Sequence, residues 1–103
     1  MLFGLSDKTI DQIRKVFSAD KKVLRVRIFG SRALGTHREG SDIDLAIEGM
    51  RLNLEDILET RVNLEKLSLP YRFDLLDFSK INEPDLIDHI ERVGKIFYER
   101  QKT

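Results

Sequence analysis

The segment Asp42-Ile43-Asp44-Leu45-Ala46-Ile47-Glu48 constrains the fold more than any other stretch of the chain. Branched aliphatic residues alternate with polar or small ones, which is the period of a β-strand. Ile43, Leu45 and Ile47 therefore face one way, and Asp42, Asp44 and Ala46 face the other. One side of this strand has to lie on an apolar core, while the other carries two carboxylates. Gly49 ends the run. Taken alone, Asp42 and Asp44 after Ser41 read as an ordinary solvated strand start, because Ser and Asp are common turn residues.

Three more segments share this pattern. Val23 to Phe29 reads as a strand in which Leu24, Val26 and Ile28 alternate with Arg25 and Arg27. Tyr71 to Phe78 reads as another, with Tyr71, Phe73 and Leu75 on one face and Arg72, Asp74 and Leu76 on the other. By the same alternation Asp77 falls opposite Asp74 and is expected to be structural. Lys95 to Glu99 is expected to be a short fourth strand rather than a prolonged helix. Between these lie helical patterns. Ser6 caps a helix with Ile10, Ile13, Val16 and Phe17 on one stripe, ending near Ser18–Asp20. Asn53 caps a second helix, whose apolar positions include Leu54, Ile57, Leu58, Val62 and Leu67 and which Pro70 stops. Pro84 opens a last one, with Leu86, Ile87, Ile90 and Val93 on its inner side and Gly94 at its end. Phe17, Phe73, Phe78 and Phe97 read as core. The alternation of helices and strands predicts an α/β (α+β) fold: a small mixed sheet of three to four strands with flanking helices, in a single domain over residues 1–103.

Composition narrows the chemistry. Eighteen basic and eighteen acidic residues cancel, which argues against a protein that grips nucleic acid through bulk charge and leaves a local basic patch open. The chain has no cysteine, so disulfides, thiolate metal sites and a Cys nucleophile are excluded. No apolar run approaches the ~20 residues that span a bilayer, and the short apolar start lacks a signal-peptide pattern. A cytoplasmic protein is the expectation.

The chemistry-bearing residues fall in two nearby segments. A strand that breaks at Gly30 into a helical turn leaves backbone N–H groups pointing outward, where they attract phosphate oxygens. Gly30 allows close approach, Ser31 adds a hydroxyl and is expected to cap the short segment through Leu34, and Arg32 is a candidate phosphate contact. Asp42 and Asp44 emerge on one strand face, and carboxylates that close repel each other unless a cation lies between them. Mg²⁺ prefers such oxygen ligands. If the strand of Asp74 is adjacent, a third carboxylate joins, enough for two ions in an in-line displacement at phosphorus. Arg27, on the polar face, is expected to neutralise one of these acids when no metal is bound. His37 and Arg38 read equally well as a solvated loop, and His89 as a surface or partly packed residue.

Gly30-Ser31, ten residues, then Asp42-Ile43-Asp44 resembles the signature of the polymerase-beta-like nucleotidyltransferase superfamily. The longer string GSRALGTHREGSDIDLAI is similar to its minimal nucleotidyltransferase (MNT) branch, and Pro70-Tyr71-Arg72-Phe73-Asp74-Leu75-Leu76-Asp77 resembles that branch's third-acid strand. The resemblance implies ATP as substrate and two Mg²⁺ on Asp42, Asp44 and Asp74. It assigns the triphosphate to Gly30 and Ser31, with Arg32 assisting. It further implies an antitoxin that adenylylates a tyrosine of a HEPN-type toxin partner. A module that neutralises such a partner by contact alone, and transfer to RNA or a small molecule, are the rival readings. Self-association is left open.

Overall fold

Alternating apolar residues decide how the two faces of the sheet are used. A computed structural model describes residues 1–101 of the chain. Its elements run α1 (Asp7–Ala19), β1 (Val23–Phe29), α2 (Gly30–Leu34), β2 (Ile43–Gly49), α3 (Leu54–Glu65), β3 (Phe73–Asp77), a 3₁₀ turn (Phe78–Lys80), α4 (Pro84–Val93) and β4 (Lys95–Glu99). The four strands form one sheet in the order β3-β2-β1-β4. β1 is antiparallel to both β2 and β4, and β3 lies parallel to β2. The expected mixed sheet with flanking helices is what forms, and its fourth strand is present.

On one face Val26, Ile28, Ile43, Leu45, Ile47, Phe73, Leu75 and Phe97 are buried in a single cluster with Ile10, Ile13 and Phe17 of α1 and Leu64 of α3. Each fully buried aliphatic contributes about 1.5–3 kcal/mol. The other face is covered only in part. There Phe29 and Ala46 meet Ile90 of α4, with Leu76, Phe78, Ile81 and Leu86 around them. The end of this face that carries Asp44 and Asp74 lies outside that small cluster.

Two apolar assignments change. Leu24 is 41% exposed and Val23 is buried in its place. A register irregularity between Val23 and Arg25 displaces the start of the strand from strict alternation. On α3, Leu54, Leu58 and Val62 are exposed, whereas Leu64 and Thr60 are buried. Ile57 and Leu67 pack against the core as expected. The helix carries two apolar lines, and the one completed by Leu64 meets the sheet. Thr60 can be buried because its hydroxyl donates to the Asp56 carbonyl at 2.9 Å. Asn53 caps the helix through a reciprocal pair with Asp56. Among the described residues no helix is long and apolar enough to cross a membrane.

Candidate active site

The site starts where β1 ends. Phe29 has extended backbone and forms the N-cap of α2. Gly30 follows at φ +70°, and a β-carbon there would collide with Asp44 Oδ2. Glycine is thus needed twice, for the backbone angle and for the space the acid occupies. Five residues on, Gly35 closes the turn in the left-handed region and donates its N–H to the Ser31 carbonyl. Ser31 lies inside the helical turn and not at its cap, because the turn begins two residues earlier than the serine predicts; no side chain of the segment itself caps it. The Gly30 N–H instead donates to His89 Nε2 of α4 at 3.3 Å. The His89 ring stands edge-on to Phe29, centroids 6.2 Å apart.

The acids come together through strand register. Asp44 pairs with Asp74 across the parallel β2–β3 ladder, and with Phe29 across the antiparallel β2–β1 ladder. The adjacent pairs Ile43–Phe73 and Leu45–Leu75 all point into the main core. Asp44 and Asp74 therefore share the opposite face, with backbones roughly 4.8 Å apart. Asp42 lies just before β2 and is exposed. It lines, with Asp74, an open cleft of about 470 Å³ that also involves Arg61, Tyr71 and Arg72. The Asp44 carboxyl is pushed above the usual carboxylate range, first by burial and then by the charges of Asp74 and Asp42; the Arg32 guanidinium pulls the other way.

Among the described residues, no three carboxylate, imidazole or thiol groups already close around a metal-sized point. The acids form an open row. Their chemistry nevertheless fits a hard divalent cation: all donors are carboxylate oxygens, and the half-buried Asp44 carries a charge conflict that such a cation relieves.

Two arginines do other work than the sequence suggests. Arg32 is 3% exposed. Its Nε and Nη2 donate to the Ser41 carbonyl at 3.1 and 2.9 Å, and its Nη1 to the Phe3 carbonyl at 2.8 Å. Its guanidinium lies over Tyr71, 5.0 Å from the ring centroid. Arg32 thus braces the loop that delivers Asp42 and is not an open phosphate clamp. Arg27 pairs with Glu48 at 3.8 Å and lies over Phe78. It sits opposite Ala46, two pairs further along the ladder than Asp44, so it does not neutralise the acids. Asp77 is structural as expected, its Oδ1 accepting from the Ser79 N–H and hydroxyl. His89 is the site residue that sequence reasoning missed. It is separated from Gly30 by 59 positions, and nothing in its own helix marks it.

Comparison with known proteins gives the family. The family model described as "Polymerase beta, Nucleotidyltransferase" matches residues 11–103. "Putative protein adenylyltransferase MJ1379" of Methanocaldococcus jannaschii is 32% identical over 94 residues, spanning 82% of this chain and 93% of the relative. "Probable protein adenylyltransferase MntA" of Haemophilus influenzae is 36% identical over 78 residues, spanning 73% of this chain and 66% of the relative. A crystal structure of a toxin–antitoxin with AMP-PNP superposes with a TM-score of 0.73 at 26% identity, covering 89% of this chain and 74% of that one. With a family match over residues 11–103 and a 32% identical relative that spans 82% of this chain, the chain belongs to the polymerase beta nucleotidyltransferase family.

Proposed function

We propose that this protein is a Mg²⁺-dependent nucleotidyltransferase that moves AMP from ATP to a hydroxyl of a partner protein, as the antitoxin of a toxin–antitoxin pair whose toxin is of the HEPN type. The observation that carries the reading is the register pairing of Asp44 with Asp74 directly against Gly30. It sets a carboxylate row beside a turn with outward backbone N–H groups. Two relatives named as protein adenylyltransferases, and the likeness to a toxin–antitoxin with AMP-PNP, support the substrate and the partner class.

In this reading the Ser31 N–H and hydroxyl receive the terminal phosphates of ATP. Asp42 and Asp44 hold the divalent ions, and Asp74 completes the set from the next strand. When bound, two such ions offset the clustered carboxylates and the charge that builds on the phosphate oxygens. Asp74 borders the cleft with Arg61, Tyr71 and Arg72, and that cleft admits the acceptor. The acceptor oxygen bonds to the α-phosphorus, the bond from that phosphorus to the bridging oxygen breaks, and pyrophosphate leaves. The hydroxyl proton passes to the Asp74 carboxylate. Rate comes chiefly from alignment and fixed electrostatics.

The test is incubation with ATP labelled at the α-phosphate, Mg²⁺ and a HEPN-type toxin as the candidate acceptor. Label on the toxin, lost with Asp44→Asn, is the expected result. Neutralisation of the toxin with no label on any protein would overturn transfer in favour of inhibition by contact. Label on RNA or a small molecule alone would move the acceptor to that class.

A further inference from the structure

We propose that His89 is a positioning residue for nucleotide binding: from a separate helix it caps the Gly30–Ser31 turn and holds it in the shape that receives phosphate. The inference rests on the nucleotidyltransferase reading of that turn. Helix α2 has five residues and no side-chain cap of its own. A helical segment that short does not hold itself together, since the cost of nucleation is spread over too few hydrogen bonds. It also begins with glycine at φ +70°, the residue that loses most freedom on being fixed. Arg32, through the Phe3 and Ser41 carbonyls, and Ala33, in the core, fix its middle; its first residue needs another partner.

His89 is placed to be that partner. Its Nε2 accepts from the Gly30 N–H, and its ring is braced edge-on against Phe29, the residue before the turn. The next residue, Ile90, is fully buried against Phe29 and Ala46, so α4 anchors the imidazole to the sheet. The hydrogen bond occupies the Gly30 donor and leaves the Ser31 N–H and hydroxyl for the phosphates. It also holds Gly30 where the missing β-carbon leaves room for Asp44 Oδ2, so one contact sets the phosphate turn and the half-buried acid relative to each other. His89 itself need not touch the nucleotide.

The experiment measures AMP-PNP binding with Mg²⁺ by calorimetry on the full chain for wild type, His89→Ala and His89→Gln. It is paired with ATP kinetics and with hydrogen exchange at the Gly30 amide. Loss of one such hydrogen bond is expected to weaken binding about tenfold in His89→Ala. The same factor is expected in KM for ATP, with kcat little changed. Gly30 exchange should accelerate with or without nucleotide. Glutamine, whose amide oxygen can accept from the same N–H, should restore most of the affinity. Wild-type affinity or unaltered Gly30 exchange in His89→Ala would overturn the proposal, as would a glutamine variant no better than alanine or a fall in kcat with KM unchanged. If alanine at 89 does not fold, the glutamine variant decides: near wild-type affinity and Gly30 protection support the proposal, and loss of both overturns it. Absence of AMP-PNP binding by the wild type would sink the underlying nucleotidyltransferase reading. Wild-type binding with an indifferent His89→Ala would sink only this inference.

Discussion

Helices α2 and α3 begin in opposite ways. The Asn53 side chain accepts from the Asp56 N–H while the Asp56 carboxylate accepts from the Asn53 N–H, both at 2.9 Å, so the start of α3 is sealed by residues three apart. At α2 no local side chain caps the turn, and the first N–H is satisfied by a histidine from another helix. The two carboxyls nearest these ends are perturbed in opposite senses. Asp56 is held below the usual range by the Asn53 N–H and by Lys22. Asp44 is pushed above it by burial and by Asp74 and Asp42. A sealed helix start is a stability device. One flanked by crowded acids, with its first donor satisfied only from another helix, contributes little of that kind; in the proposed function it serves phosphates and cations instead.

Substitutions can break or sharpen this contrast. The largest effect is expected from Gly30→Ala, where backbone strain and collision with Asp44 coincide; transfer should fall about a thousandfold or more and the melting temperature should drop, read by labelled-ATP transfer and thermal unfolding. Asp44→Asn should lower transfer by about 10²–10³-fold. Its stability should move the other way. A carboxyl whose folded pKa is raised destabilises the fold once pH passes its ordinary value of about 4. Without metal, Asp44→Asn should therefore melt higher than wild type at pH 7, and the gap should close as pH falls below about 4. Mg²⁺ should raise the wild-type melting temperature and barely move the variant's. At the sealed end, Asn53→Ala should cost about 1 kcal/mol, a few degrees of melting temperature, with kcat and KM unchanged. An effect of Asn53→Ala on ATP affinity would dissolve the contrast. Asp56→Asn should be milder still. Its deficit in melting temperature should be present at pH 7 and fade as pH falls below about 4, because a depressed carboxyl contributes stability only while ionised.

Much of this was legible because it is local. The alternation in β2 and β3 told which side of each strand is buried, and therefore that Asp42, Asp44 and Asp74 look away from the core. Asn53 announced its helix. The rest depended on tertiary partners that no window of sequence contains. Leu24 leaves the apolar face because β1 shifts register at its start. The sequence of α3 offers two apolar lines, and only packing on β3 and α1 selects the one through Leu64. Arg32 looks like a phosphate ligand beside Gly30-Ser31, yet the Ser41 and Phe3 carbonyls claim it. His89 looks inert until α4 is laid along β1.

The pairing of β2 with β3 has one more consequence. Sliding β3 by a single position would swing Phe73 and Leu75 into solvent and drive Asp74 into the apolar interior, since neighbouring side chains leave a strand in opposite directions. A molecule that has misaligned its acids has then also forfeited much of its core, and it unfolds instead of persisting as an inactive look-alike. The same leucines and isoleucines that stabilise the protein proofread the alignment of its carboxylates.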